Sequence, residues 1–190
     1  MPDAGRVIAG SAKGIRLAAP GPGTRPFADR VKQTLFAILE PDLADSAVLD
    51  LFAGSGAGGI EALSRGAARA TFVERDAEAR RVIDDNLRRT GLSERSRVVG
   101  GDVLTAIGPG GAVRGDAPYD VVLVDPPYAE TDLLAVTLES LGELVRPGGR
   151  VVAKHFWRDA PRAQVGLLAS ERERRFGETA LTFYRRQEER

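Results

Sequence analysis

Near residue 47 the spacing of apolar residues along the chain changes character. Before it, apolar positions come as short clusters and one helical stripe. Val7-Ile8 and Ile15–Leu17, set around Gly10 and Gly14, predict a β-hairpin over Arg6 to Leu17. Pro20 to Pro26 is rich in glycine and proline and reads as a connection. Asp29 to Leu39 carries Val31, Leu35, Ile38 and Leu39 at helical spacing, and Pro41 closes that helix.

From residue 47 strands alternate with helices. Ala47–Phe52 reads as a strand, Gly58–Arg65 as a helix ended by Gly66, and Ala70–Glu74 as the next strand. Asp76–Thr90 is a helix closed by Gly91, and Arg97–Gly100 a third strand. Val121–Asp125 opens with an unbroken apolar run, Val121-Val122-Leu123-Val124, which suits the centre of a sheet. Thr131–Val145 is expected to be a helix stopped by Pro147-Gly148-Gly149, followed by a strand at Arg150–His155. Leu167–Arg174 and Ala180–Arg185, joined through Gly177, add a closing antiparallel hairpin. Such alternation predicts an α/β fold: a mostly parallel sheet with helices on both faces. The expected organisation is one domain over residues 1–190, with 1–41 a hairpin-and-helix appendage and 42–190 a Rossmann-like core.

Composition removes whole classes of chemistry. The chain has 190 residues, 43% hydrophobic and 28% charged, ordinary for one globular domain. It has no cysteine and a single histidine, His155, which leaves no disulfide, no thiolate nucleophile and no His-rich metal site or Ser-His-Asp triad. No metal is expected. No apolar run approaches the roughly 18 residues of a spanning helix, and the polar N-terminus lacks a secretory apolar stretch. A cytoplasmic monomer that meets no membrane is expected. Net charge is zero, yet residues 1–40 carry +3, 41–145 carry −8 and 146–190 carry +5. Basic ends on an acidic middle fit either a face for nucleic-acid phosphates or an ordinary solvated surface.

Two motifs carry candidate chemistry. In the first, Asp50-Leu-Phe-Ala-Gly-Ser-Gly-Ala-Gly-Gly59 leaves a strand and enters a helix. Glycines there let the backbone turn sharply and approach a ligand, and ligands of open α/β sheets lie beyond the carboxyl ends of strands. Glu74 closes the next strand, where a carboxylate can accept hydrogen bonds from both ribose hydroxyls of a nucleoside. Asp102, after the third strand, can accept from an adenine amino group or cap the helix at Val103. The candidate cofactor set is Asp50, Phe52, Gly54, Ser55, Gly56, Glu74, Arg75, Asp102, Val103 and Asp125. Gly54, Gly56 and Gly59 also match the dinucleotide pattern, so an NAD-dependent oxidoreductase competes here. Asp50 favours S-adenosylmethionine, whose sulfonium and ammonium suit a carboxylate-lined cleft.

The second motif, Asp125-Pro126-Pro127-Tyr128, follows the most apolar strand. Its prolines stiffen the turn and remove two N–H donors. A carboxylate, carbonyl oxygens and an aromatic ring remain, a set that accepts hydrogen bonds from an NH₂ group and stacks a planar base. An aryl amine is a weak nucleophile because its lone pair is delocalised into the ring. Accepting both N–H protons, at Asp125 and the Pro126 carbonyl, favours a pyramidal nitrogen whose lone pair can meet an activated methyl. Positioning is the main contribution, and no strong base is needed. Asp125, Pro126, Pro127 and Tyr128 are the candidate catalytic residues, Tyr128 stacking the base for about 1–3 kcal/mol.

Together these motifs resemble the RsmD-type 16S rRNA guanine-N2 methyltransferases. The glycine loop through Arg65, the run Arg25-Pro-Phe-Ala-Asp-Arg-Val-Lys-Gln-Thr-Leu-Phe36, the opening Arg6–Leu17, Glu74 and Asp125–Tyr128 carry the likeness, which weakens after His155. It implies a seven-stranded, Rossmann-like class I S-adenosylmethionine methyltransferase sheet preceded by a β-hairpin and helix. It also implies methylation of N2 of one guanine in 16S rRNA of the small ribosomal subunit. Carried over, Arg25, Asp29 and Arg30 border the cofactor and target pocket, with Arg30 and Lys32 near RNA phosphates. Lys13 and Arg16 of the hairpin are further RNA candidates. The chain departs from the family's pattern at Phe27, Ala28, Gln33 and Lys154, the last standing where an acidic residue is expected.

The Asp-Pro-Pro-Tyr turn alone fits adenine N6 as well as guanine N2, and a non-catalytic assembly factor would bind the same cofactor. His155 is expected at a strand end or pocket rim. Phe156 and Trp157 are read as packing or lid residues, and Arg172, Arg174 and Arg175 as a solvated edge strand.

Overall fold

The computed structural model describes residues 3–21, 29–127 and 130–188. In chain order the elements are β1 (Asp3–Arg6), β2 (Arg16–Ala18), α1 (Asp29–Leu39), β3 (Ala47–Leu51), α2 (Ala57–Ser64), β4 (Arg69–Glu74) and α3 (Ala77–Thr90). There follow β5 (Ser96–Gly100), α4 (Val103–Ile107), β6 (Tyr119–Val124), α5 (Thr131–Ser140), β7 (Val145–Phe156), β8 (Gln164–Val165), β9 (Leu168–Phe176) and β10 (Thr179–Arg186).

β1 and β2 form the expected antiparallel hairpin, and the remaining strands make one sheet in the order β5-β4-β3-β6-β7-β10-β9-β8. The first five are mutually parallel, whereas β10, β9 and β8 run antiparallel to their neighbours. Seven of the eight strands are those expected. The eighth, β8, is a two-residue edge strand whose apolar content, Val165 alone, is too small to show as a pattern.

Alternation along the strands sends side chains to two cores. On one face Val48, Phe72, Val121, Leu123, Val152, Leu181 and Phe183 pack with α1, α2, α3 and the hairpin. On the other, Leu49, Leu51, Val73, Val122, Val124, Val151 and Tyr184 pack with α4 and α5. The run Val121–Val124 is buried on both sides, and each such side chain contributes about 1.5–3 kcal/mol relative to exposure.

One helix ends early. α5 stops at Ser140 rather than Val145, and Val145 instead pairs with Tyr119 as the first residue of β7. The backbone turns at Gly142–Leu144, and the Leu144 carbonyl accepts from Tyr119 N at 2.7 Å. Pro147-Gly148-Gly149, expected to stop the helix, bulges out of β7, since the register jumps from Tyr119↔Val145 to Val121↔Arg150.

The hairpin, expected as an appendage, is tied to the sheet by buried polar groups. Glu61 of α2 is fully buried, and its carboxylate accepts from Ile8 N (2.8 Å) and Ala9 N (3.1 Å). Ser64 Oγ accepts from Ala12 N at 2.9 Å and donates to the Ala9 carbonyl at 2.6 Å. Ala4, Val7, Ala12 and Leu17 are buried in the same cluster as α2 and β3. Among the described residues, no helix is long and apolar enough to cross a membrane.

Candidate active site

The register of the five parallel strands builds the site. Val99, Val73, Leu51, Val124 and Ala153 form one continuous rung across β5, β4, β3, β6 and β7. All five are buried. The next residue on each strand is Gly100, Glu74, Phe52, Asp125 and Lys154. Single-residue steps off one buried rung thus place the acid of the second strand, the start of the glycine loop and the Asp-Pro-Pro turn on a common rim. β3 lies between β4 and β6, so the rim spans the point where strand order reverses, where α/β sheets bind ligands.

A cavity of about 720 Å³ opens there, within the size range of nucleoside-type sites. Of the expected cofactor residues, Asp50, Phe52, Gly54, Ser55, Glu74, Arg75, Asp102, Val103 and Asp125 line it. Gly56 stands behind the wall as the left-handed N-cap of α2, at φ 76°. Pro126 and Pro127 close the β6 side, and Pro20 and Gly21, from the segment after the hairpin, line the cavity too. Tyr128 and Arg25 lie outside the described residues, as do Phe27 and Ala28.

The loop is held from several sides. Glu74 Oε2 accepts from Gly54 N, and Oε1 from Asp76 N, each at 2.9 Å. Phe52 adopts φ 61° without being glycine, a conformation costing about 1–2 kcal/mol that the surrounding packing maintains. A Cβ on Gly59 would lie 2.4 Å from the Phe72 ring, so glycine there lets α2 press onto β4. Asp50 Oδ2 accepts from Gly59 N at 2.7 Å. Burial pushes the Asp50 carboxyl up to about 7, helped by the neighbouring Asp125 and Glu74 and opposed by the Gly59 hydrogen bond. Asp102 is exposed, lines the cavity and caps α4 by accepting from Thr105 N at 3.2 Å.

Asp125 is not alone at the turn. Lys154 Nζ donates to its Oδ2 at 2.7 Å, and the two side chains are 13% and 22% exposed, lysine first. Burial pushes the Asp125 carboxyl up, and the ammonium of Lys154 pulls it back. The other face of the turn borders a small cavity lined by Pro126, Pro127, Lys154, His155 and Phe156. His155 is buried, its Nε2 2.8 Å from Thr182 Oγ1 and its Nδ1 2.8 Å from the Phe156 carbonyl, an internal role rather than a reactive one. The general acid that an oxidoreductase would need from this histidine is therefore committed elsewhere.

The basic residues divide. Lys13, Arg16 and Arg30 are exposed, Arg16 paired with Asp3. Arg75, 65% exposed, lies 3.6 Å from Glu130. Lys32, expected near RNA phosphates, is fully buried. Its ammonium donates to the Arg6 carbonyl and lies 3.8 Å from Glu61. Lys32 sits beside Val31 on the packed face of α1, so its charge serves the hairpin junction. Burial pushes that ammonium down, with Glu61 opposing the shift.

Asn86 is a site residue the sequence reading missed. Its Nδ2 donates to the carbonyls of Ser55 and Ala18, each at 2.9 Å, and its Oδ1 accepts from Ala18 N at 2.8 Å. The signal was there: Asn86 occupies the buried stripe Ala79, Val82, Ile83, Leu87 of α3, where an amide needs partners.

The family model described as conserved hypothetical protein 95 matches residues 5–185. YlbH of Bacillus subtilis is 36% identical over 183 residues, 95% of this chain and 98% of that protein. Ribosomal RNA small subunit methyltransferase D of Escherichia coli is 42% identical over 124 residues, 65% of this chain and 60% of that protein. The solved structure of yhhF from Escherichia coli superposes with a TM-score of 0.84 at 32% identity, covering 96% of this chain and 97% of that one. The sheet order, the loop at its switch point and the closing antiparallel strands are those of the class I methyltransferase fold. With the glycine loop, the acidic strand end and the Asp-Pro-Pro turn on one rim, the chain belongs to the conserved hypothetical protein 95 family, the RsmD-type methyltransferases.

Proposed function

We propose that this chain transfers a methyl group from S-adenosylmethionine to the exocyclic N2 of a guanine in small-subunit ribosomal RNA. The observation carrying the reading is the shared rung. It brings Asp125 of the Asp-Pro-Pro turn and the glycine-loop cavity to adjacent strand ends. The name of the Escherichia coli relative supports the choice of RNA.

The donor set fits the cofactor. Glu74, pinned by two backbone amides yet keeping lone pairs, accepts from ribose hydroxyls. Asp102 and Val103 border the adenine, and Arg75, Gly54 and Ser55 flank the nucleoside. Asp50 gives the deep end negative charge for the ammonium and sulfonium. When bound, adenosylmethionine supplies a methyl group already activated by its sulfonium. Asp125 and the Pro126 carbonyl accept hydrogen bonds from the two amine N–H groups and turn the nitrogen lone pair outward; the methylated nitrogen then sheds one proton to solvent. Pro127 holds the turn rigid, and Tyr128 stacks the base. The target must be swung out of its stack, at a few kcal/mol. Exposed Lys13, Arg16 and Arg30, with Arg25, contact RNA phosphates; Lys32 is withdrawn from that set. One copy of the chain, without a metal, supplies every group used, and it acts in the cytoplasm, where ribosomal subunits are present.

The test is to incubate the protein with methyl-labelled adenosylmethionine and unmethylated small subunits, then map the label. N2-methylguanine in 16S rRNA is expected. Label on adenine N6, or no transfer with the cofactor bound, contradicts the reading.

A further inference from the structure

Lys154, standing where the family resemblance leads one to expect an acid, lies against Asp125. It follows the shared rung on β7 as Asp125 follows it on β6, so parallel neighbouring strands present the two side chains together. Their 2.7 Å contact is largely shielded from water, where a charge pair is screened little. The same lysine lines both the large cavity and the small one behind Pro126 and Pro127.

We infer that Lys154 is a positioning residue which holds Asp125 as an anion and fixes its Oδ2, leaving Oδ1 as the acceptor for the target amine. The inference rests on the proposed amino-group methylation at this turn. Its chemical consequence is a preference between bases. Guanine offers N1–H beside its N2 amine, two donors in a row, and the ionised Oδ1, with its lone pairs free, accepts from both. Adenine offers the lone pair of ring N1 beside its N6 amine, which an anion does not accept and a protonated carboxyl can bond. A carboxylate kept ionised therefore selects the guanine edge.

The surroundings define what the lysine offsets. Asp50 on β3 and Glu74 at the end of β4 face the same cavity as Asp125, and Glu130 and Asp159 border the small one. Burial disfavours a charge on Asp125, while Lys154 favours it.

The experiment is the pH profile of single-turnover methyl transfer to small subunits for wild type, Lys154→Met and Lys154→Arg, with cofactor affinity measured alongside. Lys154→Met should move the acid limb upward by about one to three pH units, with much of the rate recovered above it. Lys154→Arg should restore the wild-type limb. If Lys154→Met fails to fold, Lys154→Gln carries the same test. A neutral variant whose acid limb coincides with wild type overturns the inference, as does an arginine variant that behaves like the neutral one. A wild type that binds cofactor but methylates nothing refutes the proposed function instead.

Discussion

Asn86 joins the N-terminal hairpin to the cofactor loop: one buried amide bonds the Ser55 carbonyl and both backbone polar groups of Ala18. The loop's geometry thus depends on a residue more than thirty positions away. Asn86→Ala strands three backbone groups, and an unsatisfied buried group costs about 1–3 kcal/mol. We expect a loss of about 2–4 kcal/mol in urea unfolding, with weaker adenosylmethionine binding by calorimetry. Wild-type stability in the variant would show the amide to be idle.

Glu61 and Lys32 form the second tie. Glu61→Gln leaves the Lys32 ammonium buried without its neighbouring carboxylate, and breaking such a pair costs about 3–5 kcal/mol. The double variant Glu61→Gln/Lys32→Met should lose clearly less than the sum of the single losses. Simple additivity in denaturant melts would mean that the two charges do not interact.

Asp50 makes cofactor-free stability depend on pH in an unusual direction. Its folded value, about 7, lies above the ordinary 3.8. Between those values the folded state binds more protons than the unfolded one, so this group's contribution declines as pH rises and levels off above 7. Asp50→Asn removes the slope: the variant should gain on wild type from pH 4 to 7 in urea unfolding, and no further above that. A difference that stays flat or runs the other way refutes the assignment.

Gly59→Ala places a methyl 2.4 Å from the Phe72 ring. Overpacking of this kind costs about 1–3 kcal/mol, and because Gly59 N also holds Asp50, cofactor affinity should fall with stability. Thermal melts and calorimetry on the same variant check both.

The parallel sheet was legible because its strands are short apolar runs separated by glycine-punctuated helices. Val121–Val124, followed at once by Asp125, announced both a central strand and the turn at its end. What periodicity could not show was the partner across space. Lys32 looked like a surface cation because a charge at helical spacing says nothing of a buried glutamate brought up by another helix. Lys154 looked like an oddity until strand register set it beside Asp125. The end of α5 was misplaced since Val145 suits helix and strand alike, and only pairing with Tyr119 decides. Asn86 and Glu61 were visible as polar residues in apolar stripes, but their partners are backbone groups of a distant hairpin, which no local pattern marks.

Asp125 is the proposed amine acceptor, and the direct measurement is single-turnover methyl transfer by Asp125→Ala, with cofactor affinity determined on the same preparation. Transfer should drop by about a hundredfold or more, with adenosylmethionine binding falling far less. Transfer at the wild-type rate would contradict that role.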